Sequence, residues 1–367
     1  MVWPPDPGAV GKRIEDLDTP CLLLDLDRVE RNLDTMARFF EGKVVRVRPH
    51  VKTHKVPNLA RMQLERGAIG VCCAKVGEAE VMAAAGVSPL LVTTEIVGRS
   101  KIARLLGVAR QVEVMTVVDD AQAAEQLSSA ALEAGVRLTC LVDVNVGQNR
   151  TGVEPGEQAR ELGLKVSRMA GLSLVGLQGY EGHLQHIVDP EERRVANASA
   201  MQLLSETAEL LREAGLGIEI VSTGGTGTYQ FASTWSSVTE LQPGSYVVMD
   251  TDYRGVQGLE FDNALTLLTS VISNNRPNRA IVDAGYKALS TDAGLPKPKD
   301  IDAAYGMKGD EHGMLTFQNG NPLSLGERVE IIPSHCDTTI NLHDLYYVTR
   351  GGRVVAVWPI AARGRTQ

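Results

Sequence analysis

The chain of 367 residues contains no uninterrupted apolar stretch near the roughly 18 residues a membrane-spanning helix requires, so none is expected. Positive charge is not in excess. Lys and Arg number 37 against 45 Asp and Glu, and the net charge of −8 excludes a chain-wide electrostatic footprint for nucleic acid. Cysteine is sparse: Cys21, Cys72, Cys73, Cys140 and Cys336 form an odd set without zinc-finger spacing, which fits a reducing cytoplasm better than a disulfide framework. The opening MVWPPDPGAV has neither the basic region nor the apolar core of a secretory signal. Low-complexity tracts and internal repeats are also lacking, and aromatic residues reach only 4%. What the chain does have is 43% hydrophobic residues, enough to exclude wholesale disorder, and 36 glycines, several of them clustered.

Short β-rich runs alternate with amphipathic stretches. After CLLLDL (21–26), eight such runs follow between residues 44 and 250, from VVRVRPHVK (44–52) to TELQPGSYVVMD (239–250). The stretches between them, such as DAQAAEQLSSAALEAG, close on glycine or a turn residue as helices do. Strand–helix alternation implies parallel strands, and eight of them in about 210 residues suit an α/β fold of the (β/α)8 type. A doubly wound open sheet is the alternative. Beyond about residue 255 helical periodicity fades and strands with turn signals take over, which predicts a second, mostly antiparallel β domain with a Gly-Gly hairpin at TRGGRV. The division falls at 27–252 for the barrel and 253–367 for the β domain.

Three segments carry chemistry. In VVRVRPHVK, strand alternation puts Arg46, Arg48, His50 and Lys52 on one face, with Lys52 at the C-terminal end where barrels build active sites. A lysine among cations there is expected to have a depressed pKa and to serve as an amine nucleophile; a solvated edge strand is the competing reading. STGGTGTY (222–229) and LQPGSY (241–246) are glycine-rich turns at the ends of the seventh and eighth barrel strands, the usual phosphate site of such barrels. As an isolated motif each reads first as a tight turn, but two of them at these barrel positions, opposite a strand-end lysine, favour the phosphate reading. In PSHCDTTINLHD (333–344), period 2 places His335 and Asp337 on one face at a strand end and Cys336 on the other, a pair that suits an incomplete metal shell but that by itself is a common arrangement without metal.

RPHVKTHK (48–55) resembles the lysine motif of the fold-type III pyridoxal 5'-phosphate (PLP) enzymes, in the branch that holds D-threonine aldolases and D-serine dehydratases. The likeness runs from DTPCLLLDLD to VWPIAARGR. It implies that Lys52 bonds to the cofactor, that Lys55 is structural or near the phosphate, and that strand 1–26 joins the β domain. It further implies Gly224, Gly225, Thr226, Gly244 and Ser245 around the phosphate, with Tyr246 adding a hydroxyl, and Arg150 of VDVNVGQNRTG at the phenolic oxygen. Gln242 takes the place facing the pyridine nitrogen, where an uncharged amide able to donate a hydrogen bond implies an unprotonated ring and a weaker electron sink. His186 of YEGHLQH matches a histidine near the substrate's β-hydroxyl. His335 and Asp337 would hold a divalent cation, Mn²⁺ first, Mg²⁺ or Co²⁺ next and Zn²⁺ less suited. The activity implied is aldol cleavage of D-3-hydroxy amino acids by a homodimer. β-Elimination in the same site is the runner-up, and a non-catalytic PLP carrier is disfavoured by the C-terminal domain.

Overall fold

The computed structural model describes residues 7–367, so the first six residues of the opening segment lie outside it. Eight parallel strands form one sheet: β2 (Arg46–Val47), β3 (Val71–Cys73), β4 (Leu90–Val92), β5 (Val114–Val118), β6 (Leu138–Asp143), β7 (Leu172–Gln178), β8 (Ile220–Thr223) and β9 (Glu240–Leu241). Their order runs β2-β9-β8-β7-β6-β5-β4-β3, and the ring closes between the chain after β2 and β3. There Cys72 N donates to Pro49 O at 2.8 Å and Val51 N to Cys72 O at 2.9 Å. Closure rules out the open-sheet alternative.

Helices α1 (Leu26–Phe40), α2 (Pro57–Glu65), α3 (Val76–Ala84), α4 (Arg99–Ala109), α5 (Ala121–Glu133), α6 (Glu157–Ser167), α7 (Pro190–Glu213) and α8 (Tyr229–Ala232) follow successive strands. α1 shows why such segments are helical. Asp25 caps it by accepting from Arg28 N, and Val29, Leu33, Met36 and Phe40 recur at helical spacing on its buried face. Each such side chain contributes roughly 1.5–3 kcal/mol by leaving water. Strand residues of one parity pack against the helices. Cys72, Leu91, Met115, Val117 and Leu141 form a separate buried cluster that fills the ring.

Two short helices, α9 (Thr251–Arg254) and α10 (Cys336–Ile340), border the second sheet. That sheet contains β1 (Cys21–Asp25), β10 (Leu265–Arg276), β11 (Arg279–Val282), β12 (Lys297–Pro298), β13 (Ala304–Met307), β14 (Gly313–Thr316), β15 (Arg328–Ile332), β16 (Leu345–Arg350) and β17 (Arg353–Pro359). All its pairings are antiparallel except β1 with β16. The β16–β17 hairpin turns on Gly351 and Gly352, with φ of 58° and 73°, values that only glycine adopts freely at both central positions.

Candidate active site

The expected long lysine strand is short. β2 ends at Val47, Arg46 is exposed, and Arg48 turns inward to a buried ion pair with Glu240 on β9 at 2.9 Å. Lys52 instead stands on a turn, and the turn is locked from several sides. His50 Nδ1 accepts from Lys52 N at 3.3 Å, so its Nε2 carries the hydrogen and donates to Thr93 Oγ1 at 3.0 Å. Burial, with Lys52 and other cations nearby, holds the His50 pKa well below the ordinary histidine value, which keeps the ring neutral. Lys55 is structural: its ammonium is buried against Glu78 at 2.5 Å, and its N–H closes the turn onto Val51 O. Burial pushes the His54 pKa down to about 4, and its Nδ1 accepts from Val56 N.

The expected depression of the Lys52 pKa is not what the fold produces. Burial lowers it most and Arg150 adds to that, but Tyr180, Asp337 and Glu78 act the other way, and the net shift is upward. The cations beside Lys52 in the motif are its neighbours in the chain, whereas the opposing groups come from distant segments. Lys52 Nζ and the Arg150 guanidinium lie 5.9 and 5.8 Å from the centre of the Tyr180 ring.

Lys52 opens into a cavity also lined by Thr53, Arg150, Gly225, Thr226, Gly244 and Ser245. Gly244 lets the two turns meet: a Cβ there would lie 2.8 Å from Thr53 Oγ1 and 3.0 Å from His50 O. Among the described residues the amides of Thr226, Gly244 and Ser245 have no acceptor, and Thr53 Oγ1 is buried without a partner. Unpaired donors concentrated in one polar pocket are the mark of an anion cradle. These groups fit a phosphate ester beside an amine, as PLP requires. Gly224 stays behind the cradle, its φ of +71° turning its N–H onto Glu181 Oε2. Glu181 is fully buried and also accepts from Asn197, Thr223 and Thr228, so one carboxylate braces the whole glycine turn. Tyr246 does not aim its hydroxyl at the cavity. The hydroxyl accepts from Gln63 on α2, and it is the backbone N–H of Tyr246 that meets Thr226 Oγ1.

The inner wall is a chain of polar side chains that ends at Asp143. Gln178 donates to Asp143 at 2.8 Å and Thr151 at 3.1 Å, while burial first and neighbouring Glu95 second push the Asp143 pKa up to about 8. An ordinary aspartate ionises near 3.9. Between about pH 4 and pH 8 the unfolded chain has therefore lost this proton while the native chain retains it, so stability falls as pH rises through that window. Urea midpoints measured at about pH 5 and pH 8 should drop for the wild type and drop less for Asp143→Asn; equal drops would refute the assignment.

At the second sheet, His335 and Asp337 lie on a turn into a helix, not on a strand: His335 is the N-cap of α10 and Asp337 falls in its first turn. The physical reason is Asp250, whose carboxylate accepts both Cys336 N at 2.8 Å and Tyr253 N at 2.9 Å, tying α10 to α9. Cys336 is buried and points its thiol toward Asp337 Oδ1 at 3.4 Å. His335 Nδ1 is paired with Asp292 Oδ2 at 2.6 Å, which leaves Nε2 for a ligand. Asp292 itself is held down to about 2: burial opposes this, but hydrogen bonds from Ser290, His335 and Thr338 prevail. No cluster of three or more His, Cys, Asp or Glu able to hold a metal occurs among the described residues. His335 and Asp337 alone present an imidazole nitrogen and a carboxylate at the start of α10.

The family model described as "Alanine racemase, N-terminal domain" matches residues 24–252. The chain belongs to that family. A second model, "Putative serine dehydratase domain", matches residues 264–349. The chain is 38% identical to the 3-hydroxy-D-aspartate aldolase of Paracoccus denitrificans (strain Pd 1222), over 98% of this chain and 95% of the relative. It is likewise 38% identical to the D-threonine aldolase of an Arthrobacter species, over 98% and 96%. The crystal structure of D-threonine aldolase from Filomicrobium marinum superposes with a TM-score of 0.96 at 43% identity, covering 98% of each chain.

Within this alanine racemase-family barrel, Lys52, Arg150, Gly225, Thr226, Gln242, Gly244 and Ser245 converge on one cavity. His186 does not line it. Its Nδ1 is 3.0 Å from Asp252 Oδ2, and its ring packs 4.4 Å from that of Tyr253, which does line the cavity. Sequence reasoning missed Thr53, Tyr253, Asp292 and the bracing role of Glu181. Only Thr53 had a signal in the chain, its position beside Lys52.

Proposed function

We propose that the protein is a lyase cleaving the Cα–Cβ bond of D-3-hydroxy amino acids, D-threonine among them, to glycine and an aldehyde, with PLP and a divalent cation as cofactors. The observation that carries this reading is the concentration, around one lysine, of three unpartnered amides and an unpartnered hydroxyl. The aldolase names of the relatives support it.

PLP supplies, when bound, the sink for the electrons of the broken bond. Lys52 provides the amine for its aldehyde. Thr226, Gly244, Ser245 and Thr53 hold the phosphate, Gly224 and Gly225 give the turn its shape, and Tyr246 steadies Thr226. Arg150 stands at the exposed mouth as a cation for the phenolic oxygen. His335, through Nε2, and Asp337 would hold the cation, which would supply Lewis acidity for the substrate hydroxyl; the His–carboxylate pair favours Mn²⁺, then Mg²⁺ or Co²⁺, over Zn²⁺. Asp292 fixes the His335 tautomer. His186 acts on the cavity through Tyr253, a positioning role in place of direct contact.

The reading extends to a homodimer in the cytoplasm. Five free, buried cysteines accord with a reducing compartment. No helix of the described residues is long and apolar enough to cross a membrane. Incubated with Mn²⁺ and PLP, the protein is expected to consume D-threonine and leave L-threonine untouched. Equal consumption of both enantiomers would overturn the proposal.

A further inference from the structure

Resting on the PLP reading, we propose that Gln242 meets the cofactor ring as a hydrogen-bond acceptor, so that the ring nitrogen is held protonated. This is the opposite of the expectation from sequence, an amide donating to an unprotonated ring. The hydrogen-bond network around Gln242 decides between them.

Gln242 Nε2 lies 2.7 Å from Ser222 Oγ and 3.1 Å from Gln178 Oε1. Both contacts have only one sense. Ser222 donates its hydrogen to Glu240 Oε1 at 2.8 Å, because both Glu240 oxygens act as acceptors in the buried bidentate pairing with Arg48. Ser222 Oγ can then only accept from Gln242. At the other end Gln178 Nε2 points at the carbonyl of Thr93, which cannot donate, so Gln178 presents its oxygen to Gln242. Each end of the network fixes the amide orientation independently. Both hydrogens of Gln242 are spent, and none is left for a ring nitrogen.

The oxygen is what remains. Gln242 Oε1 accepts from no described residue, and it is not among the buried atoms sealed off without a partner; Gln242 lines the cavity. Gln242 is buried, while Arg150, which lines the same cavity, is exposed. In PLP the nitrogen lies across the ring from the carbon that bears the aldehyde, hence away from Lys52. An acceptor at that point favours an N–H there, and a protonated pyridine is the stronger electron sink. Ser222, Glu240 and Arg48 are positioning residues for this contact.

The test is ¹⁵N NMR of the holo-protein reconstituted with PLP labelled at the ring nitrogen, a readout independent of turnover. The wild type should show the resonance of a protonated pyridinium near neutral pH, and Gln242→Leu should move it toward the neutral-pyridine position. A neutral nitrogen in wild-type protein whose absorbance shows bound cofactor overturns this inference alone. Absence of any bound cofactor overturns the PLP reading and this inference together.

Discussion

Replacing Lys52 by alanine should remove the cofactor's protein-bound absorbance and lower turnover of D-threonine by roughly 10³-fold or more, with the fold intact. The fold should survive because the ammonium of Lys52 forms no ion pair with any described residue; its neighbours are the Tyr180 ring and more distant charges. The same substitution at Lys55, three residues on, should act quite differently. Lys55 closes a buried ion pair, and removing it strands the Glu78 carboxylate at a cost of about 3–5 kcal/mol. Far-ultraviolet dichroism and thermal melting would separate the two: an intact melt for Lys52→Ala, a lowered one for Lys55→Ala. A Lys52→Ala protein that kept both cofactor absorbance and activity would sink the assignment.

Asp337→Ala should leave PLP bound yet reduce turnover by about 10²-fold or more, and chelation of the wild type should reproduce that loss. The architecture is divided. The cradle and Lys52 belong to the barrel, whereas His335 and Asp337 stand on α10 beside the second sheet, so cofactor binding and cation binding can fail separately. Asp292→Asn should cost about 10- to 100-fold in cation affinity, because the His335 imidazole then loses the carboxylate that orients it. Titration of Mn²⁺ into each variant, followed by activity and by PLP absorbance, distinguishes these outcomes. Unchanged turnover after thorough chelation would contradict the cation's role.

The barrel was legible in the chain because its strands are short, apolar runs separated by helices with capped ends, and both patterns are local. Ring closure was not, since it depends on the Cys72 amide reaching Pro49 across the sheet. The lysine motif and both glycine turns could be read directly, but the electrostatics around them could not. The upward shift of Lys52 comes partly from Asp337, and the inward turn of Arg48 from Glu240, both far along the chain. The same holds for Gln242, whose hydrogen-bonding sense is set by Ser222 and Gln178 on neighbouring strands. Period-2 reasoning placed His335 and Asp337 together, yet on a strand. Asp250, capping α9 and bonding to Cys336 N, is what turns that segment into a helix.

The bond that breaks is the central claim, and D-threonine deuterated at Cα tests it directly. Cleavage of Cα–Cβ leaves the original Cα–H bond alone, so the initial glycine should carry the deuterium and appear with an equal amount of acetaldehyde. Release of the deuterium to solvent with 2-oxobutyrate and ammonia as products would contradict the account and assign the site to β-elimination.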